Sequence, residues 1–205
     1  MPSIPSTVVA PPVATLDKEA ALRQRILETF ERQARVVGPR GVVISELVAE
    51  LGISSKTLYR HFDTKDHIVR ELMTAWSDRW FTLQQRGLTD GLGPKQRIET
   101  IALNWVEHLG RFSEQFWLQL ERDFPEAYQV YQQQYKTFLE RSRHNLVEVV
   151  REGLSPDLAL STLMSMITHA TDAQVCDQLN LTRKNALLQV IDLWTQGAFR
   201  QELLP

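Results

Sequence analysis

The chain has 205 residues, 43% hydrophobic and 23% charged, with nine Gly and nine Pro. That is the composition of a soluble globular chain and excludes disordered and collagen-like classes. Its one cysteine, Cys176, excludes an internal disulfide framework and a cysteine-based zinc finger, and suits a reducing cytoplasm. The formal charge of −2 speaks against a surface that coats nucleic acid throughout; even so, Lys18 to Asp66 carries nine Lys/Arg against seven Asp/Glu, leaving the remainder net negative.

Prolines at 2, 5, 11 and 12 occupy a first stretch without helical period, which predicts a flexible arm over 1–17. It carries no Lys or Arg, so it has nothing to place in a minor groove. Leu22, Ile26, Phe30 and Ala34, four apart, predict a helix over about 19–36 that ends before Gly38-Pro39. A second short helix over 44–51 turns Leu47, Val48 and Leu51 inward and stops at Gly52. Ser54 suits the N-cap of a third helix with Leu58 and Phe62 as its buried edge. A fourth helix from Thr64 carries Ile68, Leu72, Trp76 and Trp80, and the glycines of 86–94 end it. Further helices are expected near 95–109, 112–122, 126–152, 157–178 and 183–201. The fold class is therefore all-α, with no solenoid repeat and no apolar run near the roughly 18 residues that cross a bilayer. No membrane partner is expected, and the N-terminus lacks the basic start of a secretory signal.

Residues 47–54 read as a helix-turn-helix: Gly52 turns the chain, and Ala49 is small enough for close helix crossing. With Leu58 and Phe62 inward, Ser55, Lys56, Thr57, Tyr59, Arg60 and His61 are expected to face outward. Hydroxyls and cations on one helix suit phosphate oxygens and base edges in the major groove; an ordinary solvated helix face has the same composition.

The segment Ile44-Ser45-Glu46-Leu47-Val48-Ala49-Glu50-Leu51-Gly52-Ile53-Ser54-Ser55-Lys56-Thr57-Leu58-Tyr59-Arg60-His61-Phe62-Asp63-Thr64-Lys65-Asp66 resembles the DNA-binding signature of the TetR family of bacterial transcription regulators. The likeness runs from about Arg23 to Leu72. It implies a three-helix DNA-binding domain over 18–66 joined to a larger helical effector-binding and dimerisation domain over 67–205. By resemblance, Thr57, Tyr59 and His61 match positions that meet DNA, Lys65 matches a phosphate-binding lysine, and Ser55 and Lys56 vary the sequence read. Val43 stands where Ser or Thr often caps the second helix, which leaves that contact missing or moved to Ser45. Phe30 and Gln33-Ala34 also depart from the usual first-helix pattern, as if packing volume had moved by one turn.

The second domain is rich in aromatics. The resemblance implies a small-molecule pocket between its helices, for which Trp80, Trp105, His108, Trp117, Tyr128 and His169 are candidates, with packing of the core as the plainer reading. His169 and Asp172 share a face in an otherwise apolar run. Leu160, Leu163, Met164 and Ile167 on one helix, and Leu187, Val190, Ile191 and Trp194 on the next, form long apolar faces. They are covered either within one subunit or by a second copy. The resemblance implies the second copy, a homodimer through 157–178 and 183–201 that reads a near-palindromic double-stranded operator.

No phosphate-binding loop, nucleophile elbow or zinc-protease helix is present, and His144 with Glu148 is too small a set to hold a metal. No cofactor and no catalysis are expected. The expectation is a cytoplasmic, ligand-responsive regulator, a repressor that an effector releases from DNA; the alternative is a helical carrier or interaction module whose helix-turn-helix no longer reads DNA.

Overall fold

The computed structural model describes residues 13–88 and 91–203, and their regular structure is helical: ten α-helices and a closing 3-10 turn. The first part of the expected N-terminal arm, 1–12, lies outside the described residues. From Val13 onward the chain is already helix. Two compact units divide it, one made of the residues up to Leu72 with Ser113–Phe124, the other of Met73–Phe112 with the residues from Pro125.

In the first unit α1 (Val13–Gly41) runs past its expected end. Gly38, at φ 73 and ψ 162, interrupts it, and Pro39 starts one last turn. A positive φ of this size suits glycine, whose missing Cβ removes the steric penalty. α2 (Ile44–Leu51) and α3 (Ser55–His61) follow, joined by Gly52 at φ 66. Ser54 caps α3 by accepting the Thr57 N–H at 3.0 Å, while Val43 gives α2 no side-chain cap. The first part of α4 (Lys65–Leu88) completes the core that α1, α2 and α3 begin, in which Ile26, Phe30, Ala34, Leu47, Leu58, Phe62 and Ile68 are fully buried. α6 (Glu114–Asp123), capped by Ser113, returns to this unit. It packs against α1 and contributes the buried Phe116 and Leu120.

The second unit holds the remainder of α4 with α5 (Pro94–Leu109), α7 (Pro125–Leu146), α8 (Pro156–Ala170), α9 (Ala173–Leu179) and α10 (Arg183–Ala198). Three expected helices differ. The one over 126–152 ends at Leu146, because Val150 leaves the helix to bridge Phe199, with Arg151 N–H on Ala198 O at 2.8 Å. The one over 157–178 breaks at Thr171, because the Asp172 carboxylate accepts the N–H groups of Gln174 and Val175 and so starts α9 as its cap. The last ends at Ala198, before the 3-10 turn at Gln201–Leu203. The apolar faces of α8 and α10 cover each other: Leu160, Leu163 and Ile167 share a buried cluster with Leu187, Ile191 and Trp194, and the Trp194 indole donates to Ala159 O at 3.1 Å.

Candidate nucleic-acid interface and ligand cavities

The buried pair Leu58 and Phe62 fixes how α3 is rotated. Ser55, Lys56, Tyr59 and Arg60 lie on its exposed side, and Ser45 is exposed on α2. Thr57 and His61, four apart, flank the buried stripe and are half-buried, so the outward face is narrower than the six residues expected. The Thr57 hydroxyl is 2.9 Å from that of Ser54, inside the cap of α3. His61 turns Nε2 inward, where it has no hydrogen-bond partner among the described residues, and its carbonyl accepts from Arg23 at 2.5 Å. Arg23 also stacks its guanidinium 4.2 Å over the Phe62 ring and pairs with Glu71 at 3.1 Å, which joins α1, α3 and α4 at one point.

Lys65 is half-buried rather than displayed. Its ammonium donates to Arg40 O at 2.6 Å and to Val42 O at 2.8 Å, leaving one N–H for a phosphate. Burial is the main cause that lowers its pKa; Asp66 opposes the shift and Arg40 adds to it. Sequence periodicity gives no sign of this contact, which spans α1 to α4 through backbone carbonyls.

The second unit brings five of the six candidate ligand residues into its own structure, while Trp117 belongs to the first unit, beside Phe116. Trp80, Trp105 and His108 are buried together. The His108 ring stacks on Trp76 at 4.1 Å and on Trp80 at 5.5 Å, and its Nε2 lies 3.1 Å from Trp76 O, an oxygen that only accepts, so Nε2 carries the hydrogen. Tyr128, Tyr131 and Tyr135 form a stacked column along α7, and burial is the main cause pushing the Tyr131 phenol up to about 12. Trp105 stacks on Phe138 at 4.8 Å, and both line a cavity of about 420 Å3 among α5, α7 and α8, floored by Ile98, Ile101, Leu163 and Ile167. A wider cleft of about 910 Å3 lies between α7 and α8; exposed His169 and the α9 cap Asp172 both border it. Among the described residues no group of three His, Cys, Asp or Glu is placed to hold a metal, and no helix is long and apolar enough to cross a membrane.

Comparison with known proteins agrees with this geometry. Residues 26–72 match the family model described as bacterial regulatory proteins, tetR family. None of the curated proteins compared matches the chain. Among solved structures, the chain is similar to a putative transcriptional regulator from Saccharomonospora viridis in complex with choline, at 19% identity and a TM-score of 0.73, over 89% of this chain and 100% of that one. It is also similar to a TetR-family transcriptional regulator from Streptomyces coelicolor, at 19% identity and a TM-score of 0.70 (87% and 96% of the two chains). A ketosteroid transcriptional regulator of Mycobacterium tuberculosis follows at 18% identity and a TM-score of 0.56, over 87% and 95%. At these identities the likeness is one of fold.

Proposed function

For a chain whose residues 26–72 match the family model of bacterial regulatory proteins, tetR family, we propose a homodimeric, ligand-responsive repressor that reads a near-palindromic operator with α3. The observation that carries this reading is the exposed face of Ser55, Lys56, Tyr59 and Arg60, held by the buried Leu58 and Phe62 and started by the Ser54 cap. Two cations and two hydroxyls on one rigid, capped helix supply phosphate contacts for register and a tyrosine ring for a thymine methyl. Ser45 adds a hydroxyl from α2, where Val43 gives none. Thr57, His61 and the third N–H of Lys65 complete the set at its edges.

The effector belongs in the second unit, where the cavities adjoin Trp105 and His169 and where Trp80 and His108 stiffen the wall. A choline complex in a protein of similar fold supports a small molecule as the controlling partner. An effector that favours the DNA-incompetent dimer releases the operator by its differential affinity for the two states. With the apolar faces of α8 and α10 spent inside one subunit, the surface left for the second copy is their outer side, where Leu158 is 59% and Leu193 64% exposed.

Fluorescence anisotropy of the purified chain with labelled DNA from upstream of its own gene, at two salt concentrations and with unrelated competitor, tests the reading. Saturable binding that resists competitor is expected. Binding that competitor abolishes, with ligand binding intact, favours the carrier reading instead.

A further inference from the structure

The 910 Å3 cleft and the 420 Å3 cavity share two lining residues, Leu160 and Met164, both on α8. The two spaces are thus neighbours separated by a partition of side chains. Met164 is unbranched and flexible, so the partition can move without breaking a hydrogen bond. Their chemistries differ. Most of the inner cavity's lining is apolar, with Trp105, Phe138 and aliphatic side chains; Arg97, Ser142, His144, Asn145 and Glu148 also line it. The outer cleft carries three carboxylates, Glu140, Asp157 and Asp172, against one guanidinium, Arg143. Arg143 pairs with Asp157, and Asp172 is engaged as the cap of α9, whereas Glu140 has no ion pair among the described residues. Tyr135 borders the same cleft, and its ring stacks on Trp105 at 5.6 Å, so one aromatic wall runs from the cleft to the cavity.

Resting on the regulator reading above for its role as effector site, we propose that the joined cavities bind an amphipathic cation. An ammonium head sits over Tyr135 beside Glu140, and an alkyl or aryl tail passes Met164 into the inner cavity. Net negative charge and an aromatic face favour a cation at the cleft. For an anionic head the one guanidinium lining the cleft, Arg143, is already held by Asp157, which leaves the neutral donors of His169, Ser161, Ser165 and Thr168 against three carboxylates. The tail gains from leaving water in proportion to the apolar area it covers.

The test titrates the full chain with decyltrimethylammonium, decyl sulfate, decanol and tetramethylammonium, each below its micellar concentration, by calorimetry and by tryptophan emission, because Trp105 lines the inner cavity. One decyltrimethylammonium per chain, saturable and with altered emission, is expected, with tetramethylammonium weaker by about a hundredfold or more. Glu140→Gln is expected to weaken the decyl cation about fivefold and to leave decanol unchanged. Ile101→Phe, which fills the inner cavity, is expected to remove the advantage of the long tail, with circular dichroism showing that helix content is kept. Equal binding of decyl sulfate, equal binding of tetramethylammonium, non-saturable uptake, or indifference to Glu140→Gln overturns the proposal. Operator anisotropy on the same preparation separates the two claims. Specific DNA binding without cation binding removes only the cation site, while cation binding without specific DNA binding removes only the regulator reading.

Discussion

The Lys65 ammonium donates to the carbonyl oxygen of Arg40 at 2.6 Å and, two residues on, to that of Val42 at 2.8 Å, tying the start of α4 to the turn between α1 and α2. These carbonyls lie in the last turn of α1 and in the link before α2, where helix hydrogen bonding does not consume them. Lys65→Met is expected to lower the unfolding free energy by about 1 kcal/mol, below the full value of hydrogen bonds to a charged group because the ammonium is still partly in water, read by urea denaturation with an unchanged slope. Lys56→Met, on the exposed face, should leave it nearly unchanged. Because burial lowers the Lys65 pKa in the folded state, the unfolded chain holds that proton to higher pH. The parent should therefore gain stability relative to Lys65→Met as pH rises through the window from the lowered value to the ordinary 10.5.

Val43 precedes α2 in extended conformation, at φ −95 and ψ 118, and is 46% exposed without a capping bond. That is the backbone an N-cap serine uses. Val43→Ser is expected to stabilise the chain by about 1 kcal/mol, since a serine hydroxyl there can accept a backbone N–H from the first turn of the helix. In this chain the amides in reach are those of Ser45 and Glu46. Thermal unfolding checks it, and a fall in midpoint would show that the valine packs against something the serine cannot replace.

The parts of the fold legible in the sequence are those governed by local rules. Of the stripe Leu22, Ile26, Phe30 and Ala34 the last three are buried and Leu22 is half-buried, Ser54 caps α3, and Leu58 and Phe62 form its inner edge, because period and capping act within a few residues. What the sequence hid depends on partners far along the chain or on competition between local bonds. Lys65 reaches back 25 residues, α6 returns to α1, and Trp117 goes with it. Asp172 shares a helical face with His169 on paper, yet its carboxylate bonds to amides two and three residues on and ends the helix first.

Gly38 combines positive φ with close approach: a Cβ there would overlap the Gln119 side-chain amide, which accepts the Arg40 N–H at 3.0 Å. Gly38→Ala is expected to cost about 1–3 kcal/mol from backbone strain and displacement of that amide. Gln119→Ala should lower stability alone but recover part of the loss in the double variant, a coupling that a double-mutant cycle by denaturation measures. Additive losses would mean that the backbone angle alone is responsible.

Tyr131 stands in the aromatic column of α7 between Tyr128 and Tyr135, and its phenol is pushed up to about 12 by burial first and by the two neighbouring phenols next. The unfolded chain loses this proton earlier, so the contribution is intact below the ordinary value of 10 and is lost as pH rises towards 12. In a spectrophotometric titration, Tyr131→Phe should remove a late-ionising phenol and raise alkaline stability relative to the parent over that window.

Lys56 and Arg60 are the cations on the exposed side of α3, and neither is drawn into an ion pair there among the described residues. Each phosphate neutralised releases counterions, so losing one such contact flattens the salt dependence of binding. Arg60→Ala and Lys56→Ala are each expected to reduce the log–log salt slope by about 1 if the residue meets phosphate. Tyr59→Phe keeps the ring and removes only the hydroxyl, so its slope should match the parent while affinity falls. Tyr59→Ala should additionally lose discrimination at one base position, by about 1–3 kcal/mol. Anisotropy at several salt concentrations against operator and scrambled DNA reads all four variants. A common loss for both DNAs with no change of slope would place these side chains off the duplex and return α3 to the status of a solvated helix.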